Sequence, residues 1–429
     1  MTDTTIASIH ARRVWDSRGR PTVEAEVRLG GGARGRAIAP AGASRGMHEA
    51  IDLRDGGTAL GGMDVTLALA NVNGPIAARL DGMDAARQDL VDAELIALDD
   101  TVNKARLGGN ATIAVSMALL HAAADAHDVP LYAWLAGDRP VRLPLPEIQI
   151  FGGGAHAGRR VDIQDFMVIA IGAHSFAEAL TMTAEVYRTA GRLMSDAGRL
   201  QGVADEGGFW PAFDSNEEAL SMLTRAIEQA GFRPGEDVAI SLDIAASEFG
   251  RDGRYTLGLE RRDLDRDGMI AMLLDWCGRY PIVSIEDPLA EDDRDGMRAF
   301  TAAIGGRIQI IGDDYLVTNA DRVDAAAADH ACNSVLIKPN QAGTVTETHA
   351  ALAAGKRAGF GTIVSARSGE TEDVTIVHLA TGWDAGQLKV GSFARSERMA
   401  KWNEALRVEE ALGTAAVFAG RGALARNPW

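Results

Sequence analysis

The sequence predicts an α/β protein in two parts, a small α+β domain followed by a C-terminal βα (TIM-like) barrel. Three observations carry this. The first 60 residues alternate apolar and polar in short runs, residues 61–137 change to a helical period, and the remainder repeats a strand-then-helix pattern.

Taken in order, ASIHARRV, TVEAEVRL and GRAIAP are separated by RGRP and GGG, which reads as a three-stranded antiparallel meander. NATIAVSMALLHAAADAH is apolar on nearly every face, as expected of a helix in the core or against another subunit. A meander followed by helices is an α+β domain. RPVRLPLP, over 139–146, holds three prolines and marks the boundary between a domain over 1–138 and one over 139–429. A strand is expected over 166–171. Further strands are expected at DVAISLD (237–243), PIVSIED (281–287), IQIIGD (308–313), SVLIK (334–338), TIVS (362–365) and QLKV (387–390). Each precedes a helix-length segment such as ADRVDAAAADH or TETHAALAAGKRAG. Six such units suggest a barrel. None opens on the G-x-G-x-x-G turn that a doubly wound nucleotide-binding sheet would use.

Bulk composition narrows the partners. A net charge of −17 argues against nucleic acid or an anionic membrane, though not against a small anion met by a local cation. Two cysteines, Cys277 and Cys332, cannot build a disulfide framework or a Cys-based metal site. The N-terminus lacks an apolar signal core and no run approaches 18 apolar residues, so a cytoplasmic protein is expected. Of 43 basic residues only five are lysine. Two of them, Lys338 and Lys389, end apolar runs, where an ammonium can do what guanidinium cannot: lose a proton near neutral pH.

In a βα barrel the chemistry sits at the carboxyl ends of the strands. Those ends carry Asp243, Glu286, Asp313, Lys338, Arg367 and Lys389. A single Asp after a strand is usually a turn or helix-cap residue. Three carboxylates on three consecutive strands would converge, raising one another's pKa unless a cation compensates. Three hard oxygen donors with room for water and substrate describe a Mg²⁺ site. The two lysines are expected on the opposite side of the ring, one of them held neutral as a base.

These residues lie in motifs that resemble the enolase family: WDSRGRPTVEAEV, APAGASRGMHEAIDLRDG, ADEGGF, SLDIAASEF, PIVSIEDP, IIGDDYLVTN, LIKPNQAGTVTET, SGETED and RSERMAKWNEALRVEEALG. The resemblance spans about residues 5–420 with the motifs in order. It implies an enolase-type barrel, removal of a proton next to a carboxylate, and two Mg²⁺ per active site. Asp243, Glu286 and Asp313 match the ligands of the tighter ion, and Ser44 matches a ligand of the second. Lys338 matches the base for the C2 proton, and Lys389 the cation facing it. Glu206 matches the acid for the departing C3 hydroxyl, with His156 and Asp165 beside it. Gln164, Arg367, Ser368, His156 and Lys389 match substrate-binding positions, the Arg-Ser pair gripping the phosphoryl group. The implied partner is a small phosphorylated or phosphonylated carboxylate, and the implied assembly a homodimer or larger.

Five positions depart from the pattern. Ala366 stands where enolases carry a histidine before Arg-Ser, and Asp165 stands in place of a glutamate. Gly152 and Ala155 replace an Asn and a Ser, and Arg45 follows Ser44 where threonine is usual. The changes fall on the parts that hold phosphate and expel hydroxyl. A carboxyphosphonoenolpyruvate synthase-like enzyme of phosphonate biosynthesis is therefore a second expectation, with Arg45, Arg159 and Arg160 as added charge for a larger anion. A third is a catalytically weak homologue that acts as a binding protein.

Overall fold

The computed structural model describes residues 2–425. Strands β1 (Ile6–Trp15), β2 (Pro21–Leu29) and β3 (Arg34–Ile38) form the expected meander, paired antiparallel in that order. The first turn is closed by Asp16, whose carboxylate accepts the backbone N–H groups of Arg18 and Arg20. Helix α1 (Gly109–Ala126) is buried along almost its whole length. It lies across β2 and β3 on one side and meets helices flanking the barrel on the other. That double contact explains its apolar sequence, and each fully buried Leu or Val contributes about 1.5–3 kcal/mol.

The remainder is a closed eight-stranded barrel. Its elements are β4 (Leu145–Gly152), β5 (Asp165–Ile169), α2 (Phe176–Asp196), α3 (Asn216–Gln229), β6 (Ala239–Asp243), α4 (Arg266–Arg279) and β7 (Ile282–Glu286). They continue with α5 (Arg294–Ile304), β8 (Gln309–Gly312), α6 (Ala320–Asp329), β9 (Ser334–Ile337) and α7 (Val345–Arg357). The last are β10 (Gly361–Ser365), α8 (Thr375–Gly382), β11 (Gly386–Ser392) and α9 (Ser396–Leu412). Around the ring the order is β7-β8-β9-β10-β11-β4-β5-β6.

The six expected strand–helix units are present. The start of the barrel differs from the expectation in two ways. The proline-rich stretch read as a boundary runs directly into β4, which the sequence reading did not assign. And β5 runs antiparallel to both neighbours. The 153–164 connection holds only one short helical turn, Gly154–Ala157, and a parallel crossover needs a full helix. Helices α2 and α3 then follow together before β6. The antiparallel direction has a consequence for the site: the first residue of β5, not its last, lies at the barrel mouth.

Helix starts use side-chain caps, with Ser175, Ser215, Asp293, Asn319 and Thr344 each accepting a backbone N–H. Cys277 and Cys332 are free and buried. No helix among the described residues is long and apolar enough to cross a membrane.

Candidate active site

Six strand ends deliver charge to one place. Asp243 and Glu286 close β6 and β7, Asp313 follows β8, Lys338 follows β9, Arg367 and Ser368 follow β10, and Lys389 lies in β11. Asp165 opens the reversed strand β5 in register with Asp243. All of these are buried, as are His156, Gln164 and Glu206, while Ser44 is half-buried. All but Glu286 and Asp313 line one small recess that also takes in Gly42, Ala43 and Ala366. Those two are buried and are joined to the recess through Lys389 and Lys338, which do line it.

Lys389 lies across the ring from Glu286 as expected, whereas Lys338 does not lie opposite the carboxylates. Both are bonded to the carboxylates. Lys338, on the strand next to Asp313, donates to Asp313 Oδ2. Lys389 sits directly across the ring from Glu286, yet its side chain crosses the mouth. Its Nζ lies 2.7 Å from Glu286 Oε2, 2.9 Å from Asp243 Oδ2 and 3.5 Å from Asp165 Oδ2. The eight-stranded mouth is narrow enough for a four-carbon stem to span. Neither lysine is held neutral here. Burial alone would lower both, but Asp313 raises Lys338, and Asp243, Glu286 and Asp165 raise Lys389 well above its usual range.

The carboxylates diverge in turn. Burial and the charge of Asp243 push Glu286 well above the carboxylate range, against the pull of Lys389. Burial would raise Asp313 too, but Lys338 and Arg367 hold it below. Glu286 Oε1 is buried without a hydrogen-bond partner. Gln164 donates to Asp243 Oδ2 at 3.0 Å and Gln341 to Asp313 Oδ1 at 2.9 Å. A set of hard oxygen donors, one of them unpartnered, in a pocket that raises its own carboxylate suits a divalent cation. Among the described residues, the groups whose donor atoms lie within 4.8 Å of one another are Asp287/Asp313/Asp314 and His156/Asp165/Glu206. Asp243 and Glu286 are instead bridged by Lys389, and Asp313 is paired with Lys338.

The second cluster has its own balance. His156 Nδ1 is 3.4 Å from Asp165 and Nε2 is 3.6 Å from Glu206. Burial would lower the imidazole, but Glu206, Asp165 and Asp243 push it up to about 9, so it is cationic at neutral pH. Asp165 is held below its usual range, the imidazolium and Lys389 outweighing burial.

Arg367 shows what the sequence reading missed. Its guanidinium is not paired with a nearby carboxylate of its own loop. Nη1 reaches Glu49 Oε2 (2.9 Å) and Asn340 Oδ1 (3.1 Å), and Nη2 reaches Glu49 Oε1 (3.1 Å) and the Ser44 carbonyl (2.9 Å). Glu370 accepts the backbone N–H instead. The 42–51 loop thus wraps the arginine closely: a Cβ at Gly42 would lie 2.0 Å from Nη2, so only glycine fits. The Ser368 hydroxyl accepts from Ala43 N–H (2.6 Å) and from Arg18 (3.2 Å). Gln149, also missed, donates to Asp165 and accepts from the Gly208 N–H at 2.9 Å, joining β4 to the Glu206 loop. Glu49 sits within a motif already singled out, but spacing along the chain gives no sign of its partner. Arg159 pairs with Glu248 and Arg160 lies 4.0 Å from Asp214; they do not line the recess, and neither does the exposed Arg45.

Residues 6–135 match the family model described as "Enolase, N-terminal domain", and residues 140–427 match "Enolase, C-terminal TIM barrel domain". A curated relative named Enolase 1, from Desulfitobacterium hafniense (strain Y51), is 49% identical over 423 residues, which cover 98% of this chain and 97% of that protein.

Proposed function

This chain belongs to the enolase family and is a lyase of that superfamily; on that premise we propose that it converts 2-phosphoglycerate to phosphoenolpyruvate and water. The observation that carries the reading is the meeting of two lysines with three carboxylates at one barrel mouth.

Asp243, Glu286 and Asp313 would hold one Mg²⁺, and Ser44 would help hold a second. When bound, the ions supply positive charge to the substrate's carboxylate as its neighbouring carbon loses a proton. Lys338 takes that proton from C2, which requires the neutral amine, and loosening its pair with Asp313 lowers its proton affinity toward the working range. Lys389 presents a fixed ammonium to the negative charge that develops. Glu206 gives a proton to the leaving C3 hydroxyl, and the adjacent His156 imidazolium is the nearest proton store. Arg367 and Ser368 grip the phosphoryl oxygens, a task suited to a planar fork. For Arg367 this means exchanging part of its contact with Glu49 or the Ser44 carbonyl. Residues 1–138 act as the capping unit and 139–429 as the catalytic barrel. The partner is then a small phosphorylated carboxylate, and the protein a cytoplasmic homodimer or larger homo-oligomer.

A second reading rests on Ala366, whose methyl lines the recess beside Arg367 where it offers neither charge nor hydrogen bond. The resulting site would take a phosphonate relative of the substrate. Phosphoenolpyruvate formation from 2-phosphoglycerate with Mg²⁺, followed by absorbance, separates the two. Turnover in the ordinary enzyme range of about 1–10³ s⁻¹, changed little by Ala366→His, supports the first. Negligible turnover that Ala366→His raises supports the second.

A further inference from the structure

Helix α9 lies behind the barrel mouth and buries Arg398, Lys401 and Trp402 completely. Two cations in the wall of a site are unusual enough to need a reason, since an unpaired buried charge is expensive. Their partners supply it.

Strands β10 and β11 pair as far as Ser365 and Lys389, and the Ala366 N–H still reaches the Lys389 carbonyl at 2.9 Å. Beyond that point the strands part to form the mouth, and the carbonyls of Arg367, Ser368 and Val390 lie outside the ladder. A buried carbonyl left unpaired costs about as much as a lost hydrogen bond. Arg398 meets all three. Nη1 donates to Arg367 O at 2.6 Å and Val390 O at 2.8 Å, and Nη2 donates to Ser368 O. One turn on, Lys401 donates to Thr371 O at 2.8 Å and pairs with Glu370 Oε2 at 2.9 Å. The other oxygen of Glu370 accepts the Arg367 N–H at 2.8 Å. Gly391, at φ +114°, lets the Arg398 stem and the Glu206 loop approach together, since a Cβ there would lie 3.1 Å from each.

We propose that Arg398 is a positioning residue that locks the Arg367–Ser368 strand end to the Lys389 strand end, fixing the distance between the two cationic halves of the site. This rests on the reading of Arg367–Ser368 as the oxyanion grip. A rigid three-carbonyl clamp needs a planar fork, which lysine does not have.

The test compares Arg398→Lys, Arg398→Ala and Arg367→Ala with wild type, measuring calorimetric binding of inorganic phosphate in the presence of Mg²⁺, binding of Mg²⁺ alone, and turnover of 2-phosphoglycerate. Arg398→Lys is expected to weaken phosphate binding about tenfold and to lower kcat/KM on the order of a hundredfold. Mg²⁺ binding should stay unchanged, because its carboxylates sit on other strands, and methylguanidinium should partly restore Arg398→Ala. General loosening of the fold would instead weaken Mg²⁺ and phosphate together without rescue, and would overturn the proposal. So would Arg398→Lys binding phosphate like wild type while Arg367→Ala loses it. If Arg367→Ala also keeps phosphate, the oxyanion reading itself falls, and this proposal with it. Should Arg398→Ala not fold, Arg398→Lys decides by the same comparison.

Discussion

His156 concentrates the electrostatics of the site in one side chain. It is buried between Asp165 and Glu206, and its pKa near 9 means that the folded state binds a proton the unfolded chain releases near 6.5. The folded value is the higher one, so the stabilisation is fully present below about pH 6.5 and is lost as pH rises through about 9. Its size is about 3 kcal/mol. Wild type should therefore lose melting temperature across that window, and His156→Gln should flatten the profile there. An identical slope in the variant would mean that the imidazole is not the titrating group. Much at this scale was legible in the chain. Apolar runs that end in Asp, Glu or Lys mark strand ends, and their convergence follows from the barrel. The lysine–carboxylate bonds were not legible, because they depend on how far a side chain reaches across a ring and not on spacing.

The 42–51 loop brings Glu49 from the N-terminal domain onto Arg367 in the barrel. Both partners are buried, so removing one leaves an uncompensated charge. Glu49→Ala should destabilise the protein by about 3–5 kcal/mol, read as a lower midpoint in denaturant unfolding. A change below about 1 kcal/mol, the range of exposed pairs, would show that water reaches the guanidinium. Strand β4 teaches a related lesson. Its residues LPEIQIFG are all buried, yet a proline, a glutamate and a glutamine interrupt the apolar pattern that identifies a central strand. Glu147 points into the barrel, where it accepts from the Ser241 hydroxyl, and Gln149 holds Asp165. Burial pushes Glu147 above the carboxylate range. The polar residues that hid the strand are those that support the site from below.

At the scale of the whole molecule, the proposed reaction requires a strongly acidic protein to attract a small anion. It does so by enclosing its cations: Lys338, Lys389, Arg367, Arg398 and Lys401 are all buried around or behind one recess, while the net charge is −17. Field lines are focused by such a low-dielectric wall more than by the overall charge. The two-domain order was legible because the hydrophobic period changes from two to helical and then to alternating units. The reversed strand β5 was not, since direction depends on whether a connection contains a helix. In the proposed reaction Lys338 takes the C2 proton of 2-phosphoglycerate. The most direct test follows the C2 hydrogen by NMR in D₂O with Mg²⁺, for wild type and Lys338→Ala. Solvent exchange and phosphoenolpyruvate formation are expected in wild type, with both lowered about 10²–10⁴-fold in the variant. Undiminished exchange in Lys338→Ala, or none in a wild type that binds Mg²⁺, would contradict it.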